Sequence, residues 1–185
     1  MVSSPFRGNA PLWRALRTIF TIALAVVSLS IARAAAPASP IDRAFLAWDI
    51  QIEIQQQDMG RLAERRAKTE TVRDLGAMLV QRHWQAQQRL TQVASDLAVP
   101  LSTTLSEMHL RIQRRYATIA PSRFDKAFTQ HEIGDYRYFL AHFEPEARTR
   151  NPVLRTYCTE QIAQLKQDQA RIVALMTALN TGRVK

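Results

Sequence analysis

The sequence predicts an all-α protein, a bundle of four long helices with an extra short helix in the long connection between helices 2 and 3. Three observations predict this fold. The chain has only five glycines in 185 residues and no alternating strand pattern of useful length. Good helix formers (Gln, Ala, Leu and Arg) dominate the chain after residue 36. Apolar residues recur every three or four positions in four segments of similar length, which is typical of helices that share one core.

The N-terminal segment is predicted to be a secretory signal peptide. Arginines precede an uncharged apolar run from Thr18 to Ala32, and small residues at 32 and 34 then form a cleavage site, with the cut expected after Ala34. The run is shorter than the roughly 20 residues that a membrane-spanning helix needs, although an uncleaved N-terminal anchor stays open. We therefore expect an exported, periplasmic or envelope-associated protein. Its predicted parts are a signal peptide (1–34), a short linker (35–39), a helical bundle domain (40–180) and a C-terminal tail (181–185).

Capping signals predict where the helices begin. Ser39 and Asn151 each precede a proline, which combines a favourable N-cap with proline at the first helical position. Thr71 and Ser122 are each followed three residues later by Asp, which resembles a capping box. Pro145 is expected to kink the third long helix or to end it early. The predicted long helices are 40–68, 71–98, 122–149 and 152–180, and the short helix lies within 103–119.

Each apolar stripe is interrupted by a polar residue near the middle of its helix. The interrupting residues are Gln55, His83, Asp135 and Asp168. Because the midpoints of four packed helices meet in one layer, we predict a polar core layer that is hydrogen-bonded and fixes the helix register. The apolar stripes start, in chain order, at Ile41, Val72, Phe124 and Leu154.

A metal site in this layer is the alternative. A ferritin-like di-iron centre uses Glu-x-x-His motifs, and the chain has none. His83, Asp135 and Asp168 remain weak metal candidates, with iron or manganese as the alternative cofactor; otherwise no cofactor is predicted. The other histidines (109, 131 and 142) are scattered and are expected to be polar surface residues. No motif predicts catalytic residues, so the sequence favours a non-enzymatic protein.

The short helix carries a basic cluster, Arg111, Arg114 and Arg115. Cleavage after Ala34 removes four arginines and no acid, which lowers the formal charge from +9 to +5. In an exported protein this charge favours an anionic membrane or wall surface as the partner over nucleic acid, although ordinary solvated helix faces explain it as well. Because Cys158 is the only cysteine, an internal disulfide is excluded. The role of Cys158 and the oligomeric state of the protein both stay open.

With its helices placed, the chain resembles an exported bacterial family, domain of unknown function 4142, whose fold is a ferritin-like helical bundle. The resemblance is carried by Phe45-Leu46, by Leu79-Val80 with His83, by Phe124-Asp125-Lys126-Ala127-Phe128, and by Phe143-Glu144. Of the family's histidine set only His83 is present, because Tyr136 and Asp168 occupy the other two places. Gln56 and Asp58 occupy its first-helix Glu positions. The resemblance therefore implies the fold, and neither a metal nor a redox role. We expect a binding or structural protein; the alternatives are a metal-binding ferritin-like oxidoreductase with a reduced ligand set and a protein that docks on anionic surfaces through Arg111–Arg115.

Overall fold

The structure is a computed structural model, and it describes residues 37–184. The predicted all-α class is confirmed, with five helices and no strand within these residues. The predicted signal peptide, its cleavage site, the first residues of the linker and Lys185 lie outside the described residues. The helices are α1 (Pro40–Arg66), α2 (Glu70–Asp96), α3 (Glu107–Ala117), α4 (Pro121–Glu146) and α5 (Pro152–Asn180).

The directions of the long helices follow from the residues that they bring together. Gly60 meets Gly76 and Glu53 meets His83, so α1 and α2 are antiparallel. Gln56 contacts Asp135 and Asp42 contacts Thr149, so α4 is antiparallel to α1. Arg82 pairs with Asp168 and Arg89 with Glu160, so α5 is antiparallel to α2. Consequently α2 and α4 run in the same direction, and the long connection that contains α3 returns the chain along α1. One apolar cluster, with members on all four long helices, forms the core.

The apolar stripes pack as predicted, with one clear exception. On α2, every stripe position from Val72 to Leu97 is buried. Ile41, the first apolar residue of α1, is instead 69% exposed. Pro145 remains inside α4 and lies one residue before its end, where few backbone hydrogen bonds are lost. Cys158 is a free, buried cysteine in the core, and burial raises the pKa of its thiol.

Two of the predicted caps are correct and two are wrong. Ser39 forms a capping box with Asp42, and the Asn151 side chain accepts from the backbone N–H groups of Val153 and Leu154. Neither Thr71 nor Ser122 is an N-cap: α2 begins after Thr69 and α4 begins after Ala120, without a side-chain capping bond from either residue.

A carboxylate from another helix binds the backbone immediately before α2. The Asp125 side chain, on α4, accepts hydrogen bonds from the backbone N–H groups of Lys68 and Thr69 at 2.9 and 2.8 Å, and from the Thr69 hydroxyl at 2.7 Å. It thereby satisfies N–H groups that precede the first turn of α2. This contact also fixes the start of α2 against α4.

The α1–α2 pair is unusually close at two glycines. A Cβ atom placed on Gly60 would lie 2.6 Å from the carbonyl oxygen of Gly76, and a Cβ on Gly76 would lie 2.6 Å from the carbonyl oxygen of Gly60. Only glycine permits this approach of two helix backbones. The close packing brings the polar residues in the middle of α1 against α2.

Candidate functional site

A chain of buried polar side chains crosses the bundle. The Tyr157 hydroxyl of α5 donates to Asp49 Oδ2 of α1 at 2.6 Å. Glu53 lies one turn further along α1, and its Oε2 is 2.8 Å from His83 Nδ1 of α2. His83 Nε2 is in turn hydrogen-bonded to the Tyr136 hydroxyl of α4 at 3.2 Å. These five residues, which we call the polar relay, therefore connect all four long helices.

Burial controls the protonation of the polar relay. Desolvation, followed by the neighbouring charge of Glu53, raises the pKa of Asp49 well above its usual value, and desolvation likewise raises the pKa of Glu53. Desolvation lowers the pKa of His83 to about 4, although Asp49 opposes the shift. The imidazole is therefore neutral at pH 7, so the contact between His83 and Glu53 is a hydrogen bond in which the histidine carries no charge.

A small cavity lies beside the polar relay. It has a volume of about 20 Å³, and Glu53, His83, Tyr136 and Asp168 are among its lining residues. A space of this size admits a water molecule or a single ion and excludes an organic substrate, for which pockets of several hundred Å³ are typical. Asp168 is buried, accepts a hydrogen bond from Gln164 at 2.9 Å and lies 3.7 Å from Arg82 Nε.

A second polar group lies on α4, one turn before and beside Tyr136. His131, Glu132 and Asp135 each offer a ligand-type atom, and these three atoms lie within 4.8 Å of one another. His131 Nε2 is 3.4 Å from Asp135 Oδ2, and Gln56 of α1 donates to the same Oδ2 at 2.9 Å. We call His131, Glu132 and Asp135 the α4 triad.

Burial also shifts the pKa values of the three residues of the α4 triad. Desolvation, followed by the charge of Asp135, raises the pKa of Glu132 well above its usual value, and Gln56 partly opposes this. Desolvation raises the pKa of Asp135 to about 7. Desolvation and the nearby Arg115 lower the pKa of His131 to about 4, so its imidazole is neutral at pH 7.

Of the four residues of the predicted polar layer, the structure places His83 in the polar relay and Asp135 in the α4 triad. Gln55, His83 and Asp168 are buried, and His83 and Asp168 line the same cavity. Asp135 is only partly buried and belongs to the α4 triad. Both ring nitrogens of His83 already have hydrogen-bond partners.

Sequence reasoning missed the acids that surround this layer. Asp49, Glu53 and Glu132 are at most 3% exposed, yet none lies on the apolar stripe that predicted its helix. A spacing of four residues between Asp49 and Glu53 was the available signal, because it places both on one helix face. The surface prediction holds for His142, which is exposed, but it is wrong for His109, which is buried, and for His131, whose side chain is only 16% exposed.

The predicted basic cluster lies on the outer side of α3. Arg111, Arg114 and Arg115 are exposed, and exposed Arg61 and Arg65 of α1 lie nearby, lining with Arg114 a groove of about 300 Å³. We call these five arginines the basic face. Acids within 4 Å, among the residues described, neutralise only two of them: Asp58 pairs with Arg61, and Glu107 pairs with Arg114.

The fold and the sequence of this chain each resemble those of known proteins. A crystal structure of a DUF305 fragment from Deinococcus radiodurans superposes with a TM-score of 0.68 and 15% sequence identity, covering 77% of this chain and 99% of that one. At this identity the likeness shows the fold alone, a helical domain. A family model described as "Domain of unknown function (DUF4142)" matches residues 28–175, and the chain therefore belongs to that family, which confirms the predicted resemblance. No curated protein matches the sequence. No helix within residues 37–184 combines the length and apolar character needed to cross a membrane.

Proposed function

We propose that this protein is exported and acts as a non-catalytic binding protein of the bacterial envelope, attaching to an anionic surface through the basic face. The single observation that carries this proposal is the exposure of five arginines on adjoining helices, of which only two have an acidic partner within the described chain. The signal-like sequence before residue 35 supports export. The long connection between parallel α2 and α4 supports a ferritin-like arrangement for the bundle.

The charge of the basic face is sufficient for reversible attachment. Five arginines and the two paired acids leave a net charge of about +3 on one side of α3 and α1. Each basic residue held near an anionic lipid surface contributes about 1 kcal/mol at moderate ionic strength. Three such charges strengthen surface binding by about two orders of magnitude, and salt weakens the effect because exposed charges are screened.

The test is binding to vesicles that contain phosphatidylglycerol, compared with vesicles of phosphatidylcholine alone, at low and high salt. We expect salt-sensitive binding to the anionic vesicles. Replacing Arg111, Arg114 and Arg115 together with glutamine should weaken that binding about 100-fold.

A charge-matched control separates the basic face from net charge. Arg43, Arg148 and Arg150 are exposed and lie at the other end of the bundle, in the first turn of α1 and just after α4. Their joint replacement by glutamine removes the same charge and should leave most of the binding intact. Equal binding to neutral vesicles, or an equal loss in this control, would rule the proposal out.

The alternative of iron or manganese held by His83, Asp135 and Asp168 receives no support from the contacts of these residues. Glu53 and Tyr136 occupy both nitrogens of His83, and Asp135 lies in the α4 triad. A metal at His83 would first have to displace one of the bonds of the polar relay.

A further inference from the structure

We propose that the α4 triad (His131, Glu132 and Asp135) binds one divalent transition-metal ion. The α4 triad shares no residue with the polar relay or with the basic face, although Tyr136 and Arg115 lie close to it. Its three side chains supply one nitrogen and carboxylate oxygens from positions i, i+1 and i+4 of a single helix. Consecutive residues of a helix point in different directions. Asp135, however, is four residues after His131 and three after Glu132, so its side chain lies next to both of theirs.

Glu132 gives the strongest reason to expect a cation. Its side chain is 0% exposed, and neither carboxylate oxygen has a donor at hydrogen-bond distance among the described residues; the nearby Gln56, which lowers the pKa of Glu132, donates its hydrogen bond to Asp135 instead. A buried carboxyl group without partners is costly, and buried carboxylates are normally paired or bound to a metal. No arginine or lysine of the described chain lies within 4 Å of Glu132. A bound cation would supply the missing partner.

His131 presents a second unsatisfied ligand atom at the same place. Its Nε2 is buried and forms no hydrogen bond within residues 37–184, although Asp135 Oδ2 lies 3.4 Å away. The ring stacks on Tyr116 of α3, with centroids 4.5 Å apart and planes 17° apart, which fixes its orientation. A neutral imidazole held in this way is a common metal ligand.

The facing helix supports the third ligand. Gln56 donates from Nε2 to Asp135 Oδ2, as residues around metal centres typically do to orient a ligating carboxylate. The other end of the same carboxamide, Gln56 Oε1, is buried and has no hydrogen-bond partner within the described chain. Acceptor atoms therefore outnumber donors around Glu132 and Asp135, which is the condition that a cation corrects.

The ligand set indicates the class of metal. One imidazole with two carboxylates suits Zn²⁺, Mn²⁺ or Fe²⁺, whereas Ca²⁺ and Mg²⁺ favour sites made entirely of oxygen. Three protein ligands leave coordination positions for water. The site therefore resembles an open transition-metal site in composition, and the proposal concerns binding only.

The test uses purified protein stripped of metal by a chelator and then titrated with Zn²⁺ and, separately, Mn²⁺ by calorimetry. Native mass spectrometry of the same samples counts the ions per chain. We expect one ion per chain for at least one of the two metals. Glu132→Gln preserves the shape of the side chain, and His131→Phe preserves the ring that stacks on Tyr116; each should weaken binding at least tenfold.

Matched controls distinguish this site from the predicted polar layer. Asp168→Asn changes a buried carboxylate of α5, and His83→Gln removes the histidine of the polar relay. Both variants should retain the affinity of the unmodified protein, and circular dichroism confirms that each variant is folded. The proposal is overturned by the absence of stoichiometric binding, by binding that survives Glu132→Gln and His131→Phe, or by binding that is lost only in the two controls.

Discussion

The close approach of α1 and α2 makes Gly60→Ala the sharpest test of the packing. The new methyl group would lie 2.6 Å from the backbone carbonyl oxygen of Gly76 and 2.9 Å from Cγ2 of Val80. Because the carbonyl oxygen belongs to a helix backbone and cannot rotate away, the steric clash is removed only if the two helices move apart. Overpacking of this kind costs about 3 kcal/mol, whereas alanine in a helix interior recovers about 1 kcal/mol relative to glycine.

We therefore expect Gly60→Ala to lower the free energy of unfolding by about 2 kcal/mol. For a domain of this size the melting temperature should fall by roughly 4–8 °C. Gly134→Ala is the matched control, because a Cβ at Gly134 on α4 meets no atom within 4 Å. That variant should gain up to about 1 kcal/mol from helix propensity alone.

Urea unfolding followed by circular dichroism measures both variants against the unmodified protein. The shifts in the midpoint should have opposite signs at an unchanged m-value, since neither substitution alters the surface exposed on unfolding. If Gly60→Ala were as stable as the unmodified protein, or if both variants shifted in the same direction, the close approach of the two backbones would be refuted.

Three further substitutions test the buried polar groups. Glu132→Gln should raise the stability of the metal-free protein by about 1 kcal/mol or more, because it removes a buried unpartnered carboxylate; a loss in chemical denaturation would contradict this. Because the pKa of His83 is lowered to about 4 from an unfolded value near 6.5, its stabilising contribution is present above pH 6.5 and is lost as the pH falls towards 4. Unfolding at several pH values should therefore show a steeper loss in the unmodified protein than in His83→Gln, by about 3 kcal/mol at most, and equal slopes would refute the shift. Asp125→Ala should cost about 2–3 kcal/mol in thermal unfolding, and Asp125→Asn less, because asparagine retains an acceptor for Lys68 and Thr69; equal losses would disprove the role of these hydrogen bonds.

The helices were predictable because their signals are local. The period of the α2 stripe and the caps at Ser39 and Asn151 depend on residues within a turn of one another. The start of α2 was misplaced because the residues just before it, Lys68 and Thr69, bond to Asp125, which is more than 50 positions later in the chain. No nearby residue carries that information.

The candidate sites were harder to predict because burial on α1 extends beyond its apolar stripe. Asp49, Glu53 and the run of Gln55, Gln56 and Gln57 are all buried, although their composition is that of a solvent-exposed helix. The polar layer was therefore expected at one residue per helix, whereas α1 alone contributes several. His131 was expected at the surface, and its burial and that of Glu132 were not predicted, because only the position of α3 and α1 beside α4 covers them.

The burial of Cys158 gives this protein an internal reporter of its own unfolding. It is the only cysteine in the sequence, and its thiol lies in the core beside Tyr157. A thiol-alkylating reagent reaches such a side chain only when the helices open, so the labelling rate measures the fraction of open molecules without any introduced probe. The same labelling experiment therefore ranks every variant described above under native conditions.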